Sequence, residues 1–556
     1  MVYTISNECR GVIFLSCARG CWMPRLNSGS DLMRRSGLRV ATHLLHLVLL
    51  AGCAMARADQ PAGSEPSRSS WPAMTQAADT GPRVFVSEHR GVFNGKKVPY
   101  RATVAETLIK DPSGIVVASM FTFAYTAKGV KEPASRPVVF VFNGGPGGAS
   151  NALQFGALGP KRMEKFTGPA QADPDTRLID NTYTILDVAD LVFIDPVDTG
   201  YSQMLPEART GLFHSVDGDS YAITELIVHW LSANGRLGSP KYLLGESYGS
   251  LRAVALTRDL AAATPKVDVD GIVLVSQAIR YNGPSSISGP RDLNPLRAIA
   301  RLPDVAALAW YHGKIDNKGQ TVQAAMEKAR VFARTEYAEA LILGNRLDES
   351  GRARVAAHLA ALTGLSADYL LAHNLRVGDY RHELLRDRGL VLTQFDGREV
   401  EPANTSVPVA KRDWTAAVLG LTQNMNRYAA ADLRVKGLGG YLSLVPDPYG
   451  YEEGWTYIVP PAPSLDTVLT EQIRSNPRLR VMVTQGIFDT TSSLGATEEL
   501  FAQLDIPPGR VTMTYYPGGH MLYSDLAGLQ KFTADVRAFV THQPLNQANF
   551  AVAPAQ

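Results

Sequence analysis

Apolar positions along the chain follow two kinds of pattern. Nearly continuous apolar runs at 190–195 and 271–275 are typical of strands buried on both faces of a parallel sheet. Residues 217–237, 251–262 and 525–540 instead repeat apolar positions every three or four residues, which predicts amphipathic helices. Further β-rich segments bounded by turn residues are 83–88, 100–108, 115–125, 137–143, 242–244, 478–484 and 511–516. Because strands alternate with helices, we predict an α/β protein with a mostly parallel central sheet flanked by helices.

Residues 285–435 break this alternation. They are rich in Ala, Leu, Arg and Asp, with helical spacing at 321–343 and 349–372. We interpret them as a helical cap insertion that covers one edge of the sheet; an independent helical domain is the alternative. The predicted organisation beyond the N-terminal region is a first core part (83–284), the cap (285–435), a second core part (436–545) and a tail (546–556).

The N-terminal region is predicted to be a targeting segment (1–58) followed by a linker (59–82). A basic start at Met33 precedes the apolar run 41–50, which favours Met33 as the natural first residue and 1–32 as an upstream extension. The run is short for a transmembrane helix. Two exported products are compatible with its end: a lipoprotein with a lipid on Cys53, in a sequence like a bacterial lipobox, or a soluble protein cleaved before Asp59. A segment that is processed in neither way is the third alternative. We therefore expect a bacterial protein that is periplasmic or anchored to the membrane.

Composition removes several functional classes. The net charge is +2 and charged residues make up 19% of the chain, which argues against nucleic acid as the main partner. All four cysteines lie between Cys9 and Cys53, so the body of the protein has no thiolate nucleophile and no cysteine metal site. No cofactor and no metal are predicted.

A serine stands on the turn between a predicted strand and a predicted helix. The turn reads Gly245-Glu-Ser-Tyr-Gly249, in which glycines allow a sharp backbone turn that exposes the serine hydroxyl. The pentapeptide alone also fits an ordinary Gly/Ser loop. Its position between the strand 242–244 and the helix 251–262 favours a nucleophile elbow with Ser247 as the nucleophile.

A serine hydroxyl needs a base, and the base is usually a histidine oriented by a carboxylate. In α/β-hydrolases these residues follow the serine in the order acid, then histidine, on loops after later strands. Asp489 leaves the strand 478–484, and His520 follows the strand 511–516. The order and positions predict Asp489 as the acid and His520 as the base.

The negative charge that develops on the substrate oxygen also needs hydrogen-bond donors. One is expected to be the backbone N–H of Tyr248, the residue after the nucleophile. The other usually comes from a loop after an earlier strand. The glycine-rich segment 143–150 follows such a strand, and it lacks the Gly-Lys-Ser/Thr ending of a phosphate-binding loop.

Four segments together resemble the serine carboxypeptidase family. They are NGGPGGAS (143–150), FIDPVDTGYS (193–202), GESYG (245–249) and GHM (519–521). They are similar to the family patterns N-G-G-P-G-C-S-S, D-x-P-x-G-x-G-[FY]-S, G-E-S-Y-[AG]-G and G-H-M, in the same order. The resemblance implies an α/β-hydrolase fold and a peptidase that removes C-terminal residues through an acyl-enzyme.

Matched by position, the resemblance implies that Gly145 and Tyr248 supply the two oxyanion N–H groups. It also implies that Asn143 and Glu246 hold the C-terminal carboxylate of a peptide. A carboxylate binds beside a glutamate only if the acids share protons, which accounts for the family's preference for acidic conditions.

The chain departs from the family at the second glutamate of this clamp, which is replaced by Ala157. Either Glu246 then acts with Asn143 alone, or a basic residue such as Arg252 takes the carboxylate. The alternative role of Arg252 is helix packing. With no partner acid, the pH optimum is expected closer to neutral and set mainly by His520. Asp198 replaces a residue that is usually small in the family.

The expected function is therefore an exported serine carboxypeptidase-like peptidase. An esterase, amidase or acyltransferase with the same triad but without the clamp is the alternative, and Ala157 favours it. The partner is a peptide or an acyl substrate. A non-catalytic envelope lipoprotein is a third reading, weakened because every catalytic position is occupied.

Overall fold

A ten-stranded sheet is the centre of the part of the chain that this computed structural model describes. The described residues are 81–166, 176–208, 212–279, 294–404, 409–445, 463–545 and 552–555. The strands are β1 (Val84–Phe93), β2 (Lys96–Lys110), β3 (Val116–Ala127), β4 (Val138–Phe142), β5 (Lys161–Met163), β6 (Leu178–Asp180), β7 (Asp190–Ile194), β8 (Gln203–Met204), β9 (Lys241–Glu246), β10 (Gly271–Val275), β11 (Leu390–Leu392), β12 (Val400–Pro402), β13 (Arg480–Gly486) and β14 (Val511–Tyr516).

The order of strands across the sheet is β1-β2-β3-β7-β4-β9-β10-β13-β14, with β8 paired to β3. Strands β1, β2, β3 and β7 pair antiparallel. From β7 onward each pair is parallel. The sheet begins with antiparallel strands, continues with parallel strands, and places β7 between β3 and β4. This is the α/β-hydrolase topology, which confirms the predicted fold class.

Helices cover both faces of the sheet and form the insertion. They are α1 (Asn151–Leu153), α2 (Val216–Ala233), α3 (Tyr248–Ala262), α4 (Pro295–Tyr311), α5 (Val322–Phe332), α6 (Ala338–Leu343), α7 (Glu349–Thr363), α8 (Ala367–Ala372), α9 (Tyr380–Glu383), α10 (Val409–Ala431), α11 (Leu465–Ser475), α12 (Leu494–Gln503) and α13 (Leu526–Val540). Residues 72–556 form one compact unit, to which all described residues belong.

Alternate side chains of the buried strands enter different cores. In β10, Ile272 and Leu274 pack with α2, α3 and α11, whereas Val273 and Val275 pack on the opposite face with α10 and α13. This alternation explains why the strand is apolar at every position. Both faces of the sheet are thereby closed, and the ends of the parallel strands are left for the site.

The segment between β10 and β13 is largely helical, and its helices α4 to α9 share a third apolar core. Ile487 and Phe488, which follow β13, belong to that core. The insertion therefore packs directly against the loop that carries Asp489. The exact domain boundaries remain predictions.

Two features of the insertion differ from the sequence expectation. The predicted helix 349–372 is two helices, because Gly364 adopts a left-handed conformation (φ 67°) that ends α7. The insertion also contains a small antiparallel sheet, β11 with β12, which the helical pattern did not predict.

The predicted targeting segment, including Cys53, lies outside the described residues. Among the helices that the structure describes, none is long and apolar enough to cross a membrane.

Candidate active site

Ser247 lies on a tight turn between β9 and α3. Its backbone has φ 56° and ψ −124°, a conformation that a residue other than glycine rarely adopts. Its N–H donates to the carbonyl oxygen of Val275 over 2.8 Å. A Cβ at Gly245 would lie 2.0 Å from the carbonyl oxygen of Gly249, so the turn closes only with glycine there. The side chain of Ser247 is half-buried at the end of the sheet.

Asp489 and His520 are in contact although they come from different loops. Nδ1 of His520 lies 2.9 Å from Oδ2 of Asp489, and both side chains are buried. The other carboxylate oxygen accepts the N–H groups of Thr491 (2.7 Å) and Ser492 (2.8 Å). Gln485 donates to Oδ2 over 3.0 Å. These donors fix the carboxylate so that it faces the imidazole.

The environment of His520 favours its protonated form. Burial alone lowers its pKa, but the charge and hydrogen bond of Asp489, together with the charge of Glu246, raise that pKa above its usual value. An imidazole stabilised as a cation is suited to receive a proton during a reaction.

Ser247 and His520 are attached to neighbouring residues of the same strand end. Ser276 donates from Oγ to the carbonyl oxygen of His520 over 2.6 Å, and the preceding residue, Val275, holds the Ser247 N–H. No hydrogen bond joins Ser247 Oγ to the imidazole in the described chain. Such contacts are often long without substrate and tighten when it binds.

The glycine-rich loop packs on the elbow. A Cβ at Gly144 would lie 2.6 Å from the backbone nitrogen of Tyr248 and 2.6 Å from the carbonyl oxygen of Glu246. Gly145 follows with φ 117°, which side chains rarely adopt. The predicted oxyanion residues Gly145 and Tyr248 therefore belong to two segments in close backbone contact.

The predicted clamp residues form a buried cluster with a third residue. Nδ2 of Asn143 donates to Oε2 of Glu246 over 3.2 Å, and Oδ1 of Asn143 accepts the N–H of Leu153. The hydroxyl of Tyr523 donates to the same Oε2. Burial raises the pKa of Glu246 to about 7; the charge of His520, the hydroxyl of Tyr523 and the amide of Asn143 oppose that rise.

Ala157, which stands at the position of the second clamp acid, is fully buried in the apolar core. No motif marks Tyr523, which stands three residues after His520 but contacts a residue 277 positions away. Its hydroxyl now provides Glu246 with a partner that is not an acid.

Arg252 does not have the role that the sequence suggested as one option. Its side chain is buried, with Nε 2.7 Å from Oδ2 of Asp219 and Nη1 2.6 Å from the carbonyl oxygen of Asn143. The guanidinium also lies over the rings of Phe142 and Tyr248. Arg252 therefore stabilises the backbone at Asn143 and does not take a substrate carboxylate.

Asp198 has a structural role that its sequence position did not explain. It adopts φ 65°, and its carboxylate accepts the N–H of Met204 and contacts Nε2 of His214 at 3.0 Å. It thereby fixes the turn after β7.

A loop of the insertion contacts both the loop that carries Asp489 and the loop that carries His520. The N–H of His520 donates to the carbonyl oxygen of Phe395 over 2.7 Å, and the half-buried Phe395 ring lies 5.8 Å from the imidazole. Thr491 donates from its hydroxyl to the carbonyl oxygen of Gln394. No motif marked these residues, because backbone carbonyl contacts leave no trace in side-chain type.

A second unpredicted segment, residues 441–445, holds the glycine-rich loop. The N–H of Ala149 donates to the carbonyl oxygen of Ser443, and the N–H of Val445 donates to the carbonyl oxygen of Gly147, each over 2.9 Å. This segment ties the loop to the chain that follows the insertion. Within the described residues, no cluster of three or more His, Cys, Asp or Glu side chains could hold a metal ion.

Comparison with known proteins identifies one family. Residues 116–328 match the family described as serine carboxypeptidase. Carboxypeptidase Y of Saccharomyces cerevisiae is 30% identical over 129 residues, 23% of this chain and 22% of that protein. Serine carboxypeptidase-like 16 of Arabidopsis thaliana is 26% identical over 172 residues, 29% of this chain and 37% of that protein. The chain therefore matches well under half the length of either curated relative.

Among solved structures, the prohormone-processing carboxypeptidase Kex1(Δ)p of Saccharomyces cerevisiae aligns with a TM-score of 0.48 and 13% identity. The alignment covers 79% of this chain and 91% of that one. The similarity to the serine carboxypeptidase family thus covers residues 116–328, which include Asn143, Glu246 and Ser247.

Proposed function

We propose that the protein is a serine carboxypeptidase that removes C-terminal residues from peptides through a Ser247 acyl-enzyme. The observation that carries the proposal is the buried Asn143–Glu246 pair immediately beside Ser247. A buried acid with a raised pKa is neutral in mildly acidic solution and can donate to an anionic carboxylate. An endopeptidase or a general esterase has no need of such a group next to its nucleophile.

The reaction begins when His520 accepts the proton of the Ser247 hydroxyl as its oxygen attacks the scissile carbonyl carbon. Asp489 holds the imidazole by Nδ1–H and stabilises its cationic form. The N–H groups of Gly145 and Tyr248 donate to the oxygen that becomes negative.

Collapse of the tetrahedral intermediate breaks the peptide C–N bond. His520 returns its proton to the leaving nitrogen, and the C-terminal amino acid departs. A water molecule then gives its proton to His520 and attacks the acyl carbon, and a second collapse restores the Ser247 hydroxyl and releases the shortened peptide.

A second candidate keeps the triad and changes the substrate. Because Ala157 stands where the clamp has its second acid, an esterase, amidase or acyltransferase that does not need a free carboxylate is the alternative. A library of peptides with free and amidated C-termini, digested and read by mass spectrometry, separates the two. Strong preference for free C-termini supports the carboxypeptidase; equal cleavage of both sets rejects it in favour of the alternative.

Catalysis itself is tested with a fluorophosphonate probe. We expect labelling that is lost in Ser247→Ala and kept in Ser350→Ala, a matched change at an exposed helix position. Removal of a nucleophile of this type lowers kcat by roughly 10⁶-fold. Labelling that persists in Ser247→Ala would count against the assigned nucleophile.

We also propose export, with either a lipid on Cys53 or cleavage before Asp59. The apolar run 41–50 after a basic start supports it. Incorporation of an alkyne-tagged fatty acid that is lost in Cys53→Ser would favour the lipoprotein, and a mature N-terminus at Asp59 would favour the soluble form.

A further inference from the structure

Tyr523 is a hydrogen-bond partner of Glu246 that neither the sequence motifs nor the clamp of the family assigns. We propose that Tyr523 is a positioning residue that replaces the missing second acid of the clamp. Its hydroxyl holds the carboxyl of Glu246, so that one proton on Glu246 alone controls recognition of the C-terminal carboxylate of the substrate. The inference rests on the proposed carboxypeptidase function and specifies how it is controlled by pH.

The hydrogen bonds distinguish the two oxygens of Glu246. In the described chain both donors, the hydroxyl of Tyr523 and Nδ2 of Asn143, bond to Oε2. An oxygen that accepts two hydrogen bonds is the poorer place for an acidic proton. The neutral form of Glu246 therefore carries its proton on Oε1, from which it can be donated to a carboxylate of the substrate.

The ring of Tyr523 is held so that its hydroxyl has a defined position. It is stacked on Phe166 (centroids 5.8 Å apart, 19° between planes) and on Phe532 (5.8 Å, 29°). A Cβ at Gly156 would lie 2.6 Å from Cε2 of Tyr523, so Gly156 leaves the space that the ring needs. Gly156 precedes Ala157, and the segment that lost the acid is thus the one that accommodates the tyrosine.

A tyrosine differs from an acid in the proton that it contributes. In a clamp of two acids, the two carboxyl groups share protons. The carboxylate of the substrate then binds only when the pair is protonated. Burial, together with the charge and hydrogen bond of Glu246, raises the pKa of the Tyr523 hydroxyl well above its ordinary value. Tyr523 therefore stays a neutral hydrogen-bond donor. Recognition then depends on Glu246, whose pKa is lowered by the charge of His520 and raised by the charge of Asp489.

This arrangement predicts different pH profiles for two kinds of substrate. Cleavage requires neutral His520 and therefore rises with pH for every substrate. Recognition of a free C-terminus requires neutral Glu246 and falls as pH increases through its pKa. A free-acid peptide should give a bell-shaped profile of kcat/KM, whereas its C-terminal amide should lack the falling limb.

The decisive experiment compares Tyr523→Phe with the wild type on a blocked dipeptide and on its amide. The Tyr523 hydroxyl stabilises the ionised form of Glu246, so its removal should move the falling limb of the free-acid profile upward by about one pH unit. The amide profile should not move. Tyr516→Phe is the matched control, because it removes another buried tyrosine–carboxylate hydrogen bond, to Asp535 at 2.7 Å.

A falling limb that stays in place in Tyr523→Phe, or that moves equally in Tyr516→Phe or for the amide, overturns the role of Tyr523. A wild type that cleaves acid and amide equally instead rejects the proposed carboxypeptidase function, and the inference with it. If Tyr523→Phe does not fold, Glu246→Gln decides: glutamine does not titrate, so the falling limb should disappear, and its persistence overturns the inference.

Discussion

Arg252 donates from Nη1 to the backbone carbonyl oxygen of Asn143 over 2.6 Å, while its Nε contacts Asp219 at 2.7 Å. Both charged side chains are buried, and the pKa of Asp219 is raised by burial against the lowering effect of Arg252. The pair therefore connects α2 and α3 to the residue that holds Glu246. The contact makes Arg252 a support of the backbone at Asn143.

We expect Arg252→Met to reduce the free energy of unfolding by about 3–5 kcal/mol, because Asp219 is left buried without its cation. Urea denaturation measures this loss. Arg252→Met combined with Asp219→Asn should recover part of it, since the uncompensated charge is then removed. A fully stable Arg252→Met that only raises KM for free-acid peptides would instead support direct binding of the substrate carboxylate.

Asp489→Asn should lower kcat by about 10⁴-fold with little change in KM. The amide can still accept the N–H groups of Thr491 and Ser492, but it presents a donor to Nδ1 of His520 and favours the wrong tautomer. Steady-state kinetics at pH 7 to 8 measure the effect. The fluorophosphonate probe should also react much more slowly, and an unchanged kcat would exclude Asp489 as the acid.

Gly144→Ala tests the contact between the glycine-rich loop and the elbow. The added Cβ would lie 2.6 Å from the nitrogen of Tyr248, so the loop must move away from the predicted oxyanion site. We expect kcat to fall by about 10²–10³-fold, the usual cost of losing one oxyanion donor.

Gly238→Ala is the control for this change, because its Cβ would meet only Ala134 at 3.8 Å. It should leave kcat unaltered. Equal activity of Gly144→Ala and Gly238→Ala would show that the loop does not contribute to transition-state stabilisation.

The sequence predicts the sheet well because burial on two faces leaves a strong mark. The runs 271–275 and 511–516 coincide with β10 and β14. The helix predicted at 217–237 corresponds to α2, which begins one residue earlier. Residues on loops that follow parallel strands, such as Asp489 and His520, could be predicted to lie together from chain order alone, because parallel strands end at one edge of the sheet.

Contacts made across long separations or through the backbone could not be predicted in this way. Nothing near Tyr523 in the chain indicates that its hydroxyl reaches Glu246, and helical spacing cannot show that Asp219 lies opposite Arg252. The carbonyl oxygen of Phe395 accepts the N–H of His520, and every residue type has such an oxygen. Motifs and chain order therefore predict the candidate reacting groups, whereas the residues that position them become visible only in the folded structure.

Asp304 couples the stability of the fold to pH. Asp304 of α4 is buried, accepts the hydroxyl of Ser493 and accepts the N–H of Gly495 over 3.0 Å. Burial raises its pKa to about 7 against the lowering effect of these hydrogen bonds. The folded protein thus binds the proton of Asp304 more tightly than the unfolded chain, so this group stabilises the fold most at low pH. That contribution is lost as pH rises from about 4 to about 7.

Asp304→Asn removes this titration while keeping an acceptor for Gly495. The stability difference between wild type and Asp304→Asn should therefore change in favour of the variant by up to about 4 kcal/mol between pH 4 and pH 7.5. Urea denaturation at several pH values measures it. Asp348→Asn is the control: Asp348 also accepts a helix N–H, from Gly351, but hydrogen bonds lower its pKa, so its titration lies below this window. A difference for Asp304→Asn that stays constant across the window would show that Asp304 is ionised in the fold at every pH tested.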